Sequence, residues 1–321
     1  MRTILFAALA VLFTTAASAA PGYPVTLVHK YGSTTLTQAP KRVITLGMTD
    51  QDPFIALGTV PVATREWFGN VPGAVFPWAK PLVGQAPLPK VLKFELDFEA
   101  IAALNPDVIV ALAAALSPEE YATLSKIAPT VAQPADVADW AISWQASTRT
   151  AGAVLGKSVE AQKLIAGVEK KFADVRQAHP GFAGKRAQVL SSWGWPTTYY
   201  AYSSQDARGR LLTGLGFVPV AEIDKLAGTS FGASVSRERL NLVDLDLVIW
   251  MTSSPDEEKA LRSDPAYTKL RVSKEGRDFF LPEDHPVYAA FNFASVLSLP
   301  YALDGLAPAF DKLLDGNPAT R

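Results

Sequence analysis

The stretch from Ser158 to Ala178 constrains the fold more than any other part of this chain. Apolar residues recur at Val159, Ala161, Leu164, Ile165, Val168, Phe172 and Val175, one face of a helical period. Gln162, Lys163, Lys170, Lys171, Asp174 and Arg176 fall on the other face. Ser158 reads as the N-cap, and Glu160 lies in the first turn, where the helix dipole favours an anion. Pro180 and Gly181 end the helix. A helix of this length spans about 30 Å, the diameter of a small domain.

The chain before this helix resembles the chain after it. Ala56-Leu57-Gly58-Thr59-Val60-Pro61-Val62-Ala63 matches Gly214-Leu215-Gly216-Phe217-Val218-Pro219-Val220-Ala221. Phe98-Glu99-Ala100-Ile101 through Asp107-Val108-Ile109-Val110 matches Arg237-Glu238-Arg239-Leu240 through Asp246-Leu247-Val248-Ile249. At that constant offset Glu99 falls on Glu238 and Asp107 on Asp246, while Lys41-Arg42 and Lys185-Arg186 each open a strand. Each half therefore reads as strand, helix, Leu-Gly turn, strand, helix and a further β-rich run, which predicts α/β layers with parallel sheets. The expected fold is two parallel-sheet α/β lobes joined by one long helix, with a ligand cleft between them. The expected bounds are a targeting segment over 1–20, an N-terminal lobe over 21–145, a connecting helical segment over 146–180 and a C-terminal lobe over 181–321.

The first residues have the pattern of an export signal. Arg2 is the positive end, Ile4 to Phe13 the apolar core and Ala17-Ser18-Ala19 the cleavage site. The apolar run is too short to span a bilayer. No cysteine occurs, which excludes disulfides, thiolate metal sites and a lipid-bearing cysteine. The expected location is the periplasm, without a membrane anchor. Without Arg2 the chain carries 29 basic and 31 acidic residues, a net charge of −2 with neutral histidines. No basic block appears, so nucleic acid is not an expected partner.

The largest difference between the halves follows the second strand. Gly58 to Glu99 covers 41 positions, against 22 from Gly216 to Glu238. The extra length holds Trp67, Phe68, Phe76, Trp78 and prolines at 72, 77, 81 and 87. Ligands bind beyond the carboxyl ends of strands in open α/β sheets, so a long aromatic loop there reads as a cleft wall. In the second half Trp193, Trp195, Tyr199 and Tyr200 follow the strand at 187–191, and His285 and Tyr288 follow the strand at 279–281. Arg65, beside Trp67, is placed to meet an anionic group by a charge-assisted hydrogen bond. The candidate ligand contacts are Arg65, Trp67, Trp78, Trp193, Trp195, Tyr199, His285 and Tyr288, whose rings suit a bulky ligand with apolar or conjugated faces.

Catalytic signatures are absent: the sequence has no Gly-x-Ser-x-Gly elbow, His-Glu-x-x-His, phosphate loop or dinucleotide fingerprint. The pairs Asp50/Asp52 and Asp244/Asp246 read as caps and strand-entry residues, with Asp52 capping a helix that opens at Pro53. His29, His179 and His285 are too scattered for a closed metal cage. No catalytic residue, resident metal or cofactor is expected. The competing reading, an exported two-domain enzyme, would have to use Asp50 or His285 in the cleft.

Pro40-Lys41-Arg42-Val43-Ile44, Leu57-Gly58 to Pro61-Val62, Phe98-Glu99 to Asn105-Pro106-Asp107-Val108-Ile109, and Leu124-Ser125-Lys126-Ile127-Ala128-Pro129-Thr130 resemble, as an ordered set, the iron-siderophore class of periplasmic substrate-binding proteins. That class also includes vitamin B12 and haem binders, and the resemblance covers essentially the whole mature chain. Thr49-Asp50-Gln51-Asp52, Glu66-Trp67-Phe68-Gly69 and Pro77-Trp78-Ala79 look like its ferric-siderophore branch.

The resemblance implies a monomer that holds a ferric siderophore between two lobes and delivers it to an ABC importer, with the iron still chelated by the siderophore. It implies small rocking of the lobes about the connecting helix. It also implies docking onto the permease through one glutamate per lobe, Glu99 and Glu238. Few arginines occupy evident cleft positions, so a ferric hydroxamate or carboxylate-type complex is at least as fitting a ligand as a strongly anionic tris-catecholate. Cobalamin and haem are the alternative ligands, and haem would require an axial ligand such as Tyr199 or His285.

Overall fold

A computed structural model describes residues 22–67 and 69–315; the expected export signal over 1–20 and Phe68 lie outside the described residues. The N-terminal lobe opens with a hairpin of β1 (Val25–His29) and β2 (Gly32–Leu36). Then follow β3 (Val43–Thr45), α1 (Gln51–Ala56), β4 (Ala63–Arg65), α2 (Lys80–Val83), β5 (Lys90–Leu92) and α3 (Phe98–Ala102). The lobe is completed by β6 (Val108–Ala111), α4 (Pro118–Ile127), β7 (Thr130–Ala132) and α5 (Trp144–Val154). Its main sheet has the order β5-β4-β3-β6-β7, and every neighbouring pair is parallel. Helices cover both faces, which is why β3 and β6 are buried along their whole length and read as apolar runs.

The connecting helix is α6 (Ser158–Ala178). Its cap differs from expectation: Lys157 holds the N-cap position without capping the helix through its side chain, which donates to the Leu57 carbonyl at 2.6 Å instead, and Ser158 is already helical. Ala161 packs into the N-terminal core; Val168, Phe172 and Val175 pack into the C-terminal one. Leu164 touches both. One apolar stripe thus serves two cores, and bending the helix would cost packing in each.

The C-terminal lobe comprises β8 (Ala187–Ser191), β9 (Thr198–Tyr202), α7 (Ala207–Gly214), α8 (Ala221–Ala227), β10 (Gly232–Ser236) and β11 (Leu247–Thr252). It ends with α9 (Pro255–Ser263), α10 (Arg271–Lys274), β12 (Asp278–Pro282), α11 (Tyr288–Phe293) and α12 (Ser298–Leu314). The sheet order is β10-β9-β8-β11-β12. β8, β11 and β12 are parallel as expected, but β9 runs antiparallel to both neighbours, so this sheet is mixed. Only residues 192–197 separate β8 from β9, too short a connection for a parallel crossover. The counterpart of β4 shrinks to a single bridge between Arg186 and Val218.

The repeat survives where it fixes strand entry. Asp107 Oδ2 accepts the backbone N–H of Lys41 at 2.7 Å and of Arg42 at 2.9 Å, and Asp246 Oδ2 accepts that of Arg186 at 2.9 Å. Asp52 departs from the expected capping role. α1 begins at Gln51, and the Asp52 side chain is buried, accepting hydrogen bonds from Trp78 and Ser295.

Candidate ligand-binding site

In the N-terminal lobe the carboxyl end of β4 delivers Arg65 and Trp67. The guanidinium lies 4.7 Å from the Trp67 ring centroid and 4.5 Å from that of Phe94, and its Nε donates to the Phe94 carbonyl at 2.6 Å. Burial lowers the Arg65 pKa, and the charges of Glu120 and Glu95 work against that shift. Trp67 donates its Nε1 hydrogen to the Leu46 carbonyl at 3.2 Å and stands edge-on to Phe94 and to Trp140. Arg65 therefore stacks on two rings, with its Nε committed to the Phe94 carbonyl.

Trp140 was not evident from sequence. It sits at positive φ in the segment between β7 and α5, which has no hydrophobic period to mark it. Its neighbours cross to the other lobe: Arg210 of α7 donates to the carbonyls of Ala141 at 3.1 Å and Ile142 at 3.2 Å. This strut ties the segment that follows Trp140 to α7.

At the start of α7 the C-terminal lobe presents its own group. Asp206 caps the helix and pairs with Arg208 through both carboxylate oxygens, at 2.7 and 2.8 Å. Arg208 also donates to Asn292 Oδ1 at 2.6 Å and lies 3.7 Å from the Tyr202 ring centroid. Burial alone would lower its pKa, but the Asp206 carboxylate more than reverses this. Tyr200 packs edge-on to Tyr202, with Trp193 and Phe231 beside them. Trp193 and Phe231 are exposed. Tyr288 joins this group: burial and then the charge of Glu283 push its hydroxyl up to about 12, and it also interacts with Tyr202, Arg208 and Glu257.

Several expected contacts lie elsewhere. Tyr199 is fully buried, and its hydroxyl donates to the Arg239 carbonyl at 3.0 Å. On a strand adjacent side chains point to opposite faces, so Tyr199 enters the core on one face of β9, while on the other Tyr202 is buried against the C-terminal core and Tyr200 is half-buried beside Trp193. This removes Tyr199 both as a ligand wall and as a haem ligand. Trp195 packs against Trp250 on that same core face. Trp78 is held between the lobes, stacked on Phe76 and near Phe293 and Tyr301. His285 stands edge-on to Phe279, and its Nδ1 accepts the Val287 N–H at 3.3 Å. Alternation of Tyr200 and Tyr202, followed by Asp206 and Arg208 at a helix start, was the available signal for the residues missed. Glu99 and Glu238 are exposed at the starts of α3 and of the 3-10 turn Arg237–Val243.

A family model described as periplasmic binding protein matches residues 44–285. The chain belongs to the periplasmic binding protein family. A putative ABC transporter substrate-binding lipoprotein of Bacillus subtilis, YhfQ, is 26% identical over 316 residues, covering 93% of this chain and 90% of its own. A periplasmic solute binding protein from Mycobacterium smegmatis superposes with a TM-score of 0.80 at 34% identity, covering 90% of this chain and 98% of that one. Streptococcus pneumoniae PiaA in complex with ferrichrome superposes with a TM-score of 0.78 at 27% identity, covering 91% and 99%. These relatives are substrate-binding proteins, and this periplasmic binding protein is one as well, not an enzyme. Among its described residues no helix is long and apolar enough to cross a membrane.

Proposed function

We propose that this periplasmic binding protein captures a ferric siderophore between its lobes and delivers it to an ABC importer. The observation that carries this reading is that each lobe presents an aromatic group with an arginine against its rings, Trp67/Phe94/Trp140 with Arg65 and Trp193/Tyr200/Tyr202 with Arg208, while Arg210 ties the segment after Trp140 to α7. Flat rings and a guanidinium already bonded by the protein suit a large preformed complex, whose iron stays chelated by the siderophore. The likeness to ferrichrome-bound PiaA supports the same ligand class.

In this reading the protein acts as a monomer in the periplasm. Glu99 and Glu238 dock the loaded form onto the permease, an electrostatic contact that favours encounter and orientation. Because α6 is packed into both cores, the lobes rock rather than close widely.

The test is tryptophan fluorescence of the mature protein, titrated with ferric hydroxamates, ferric catecholates, ferric citrate, cobalamin and haem. Saturable quenching by one ferric siderophore, absent with its iron-free form, is the expected result. A response to cobalamin or haem alone would refute the assignment.

A further inference from the structure

The charges around the candidate site do not balance to a positive surface. Arg208 is matched by both oxygens of Asp206, and Arg65 is stacked between rings and faces the charges of Glu95 and Glu120. Glu257 is different. Its Oε2 accepts the Ser253 N–H at 2.9 Å and the Ser192 hydroxyl, and its Oε1 accepts the Ser253 hydroxyl at 2.6 Å. Partial burial opposes its ionisation, and these donors outweigh that, holding the carboxyl below the usual range. They stabilise the charge without cancelling it. Among the described residues no cation lies within ion-pair distance of Glu257.

Its position ties it to the site. Ser192 lies between β8 and Trp193, and Glu257 interacts electrostatically with Tyr288, which also interacts with Tyr202 and Arg208. Helix capping accounts for the bond from the Glu257 N–H to Ser254 Oγ at 3.3 Å, but not for the second tether to Ser192 on the neighbouring strand end.

We propose that Glu257 makes the site selective for siderophore complexes that carry a protonated amine and no net negative charge. The inference rests on the siderophore reading above and names the ligand class within it. A ligand ammonium supplies the counter-ion that the Glu257 carboxylate lacks. A strongly anionic complex meets like charge in a partly desolvated cleft, which rejects it.

The test compares ferrioxamine B, a trishydroxamate with a terminal ammonium, with its N-acetyl derivative, which has the same iron centre but no ammonium, and with a ferric tris-catecholate. For the wild-type protein at low salt, ferrioxamine B should bind about three- to tenfold more tightly than the acetylated form. That preference should shrink as salt is raised. In Glu257→Gln the ratio should fall to about one. Equal affinities for the pair in the wild type, or an unchanged ratio in the variant, would overturn the proposal. The wild-type salt series needs no variant and stands if Glu257→Gln does not fold. Tight catecholate binding overturns this inference alone; no binding of any ferric siderophore overturns the siderophore reading with it.

Discussion

The hydroxyl of Ser295 in the C-terminal lobe donates to Asp52 Oδ2 in the N-terminal lobe, and Trp78 Nε1 donates to the same oxygen at 2.7 Å. Asp52 is only 2% exposed, and its Oδ1 has no partner among the described residues. Burial pushes its carboxyl up to about 6, against the pull of the Ser295 and Trp78 bonds. A buried acid therefore joins the lobes, and Trp78 serves that junction.

This sets a pH dependence. The folded pKa of about 6 lies above the ordinary value of 3.8, so the stability linked to protonated Asp52 is full below 3.8 and is lost as pH rises through about 6. Asp52→Asn should remove that loss, gaining about 2–3 kcal/mol at pH 7 relative to pH 3.5. Urea unfolding of both proteins at the two pH values checks this. A difference that does not vary with pH would contradict it.

Removing the donor has the opposite sign. Ser295→Ala leaves a buried charged acceptor with one bond fewer and should cost about 1–3 kcal/mol at neutral pH. Thermal melts measure this cost.

Tyr199 of β9 is sealed in the core, whereas Trp193 and Trp67 belong to the candidate site. Trp193→Ala and Trp67→Ala should each weaken siderophore binding by about 1–3 kcal/mol. Tyr199→Phe should leave the dissociation constant unchanged while lowering stability by about 1 kcal/mol through the lost bond to the Arg239 carbonyl. Titration calorimetry and melts on the three variants separate the two effects. A Tyr199→Phe binding defect would return that residue to the site.

Docking and binding should dissociate as well. Glu99→Ala combined with Glu238→Ala should abolish uptake of labelled ferric siderophore in cells while leaving affinity in solution intact. Lost affinity would move these glutamates from the docking surface to the ligand site.

Much of the fold was legible because local signals agreed. β8 and α6 take the bounds that their apolar runs and breakers imply, although the cap of α6 falls one residue earlier, at Lys157. The repeat also had a physical cause, since Asp107 and Asp246 each fix the entry of a neighbouring strand. Local pattern cannot state which way a strand runs or which of its faces meets a second lobe. That is why the sequence does not disclose the direction of β9, does not separate Tyr199 from Tyr200, and does not single out Arg208 or Trp140.

The sequence by itself determined two α/β units, the helix between them and the strand ends that carry the candidate site. These follow from short-range periodicity and capping, which act within a few residues. Only the tertiary structure decided that Asp52 meets Ser295, 243 positions apart, and that Arg210 holds Ala141 and Ile142. Such pairs depend on how two completed lobes are set by one rigid helix, and no window of sequence contains both partners.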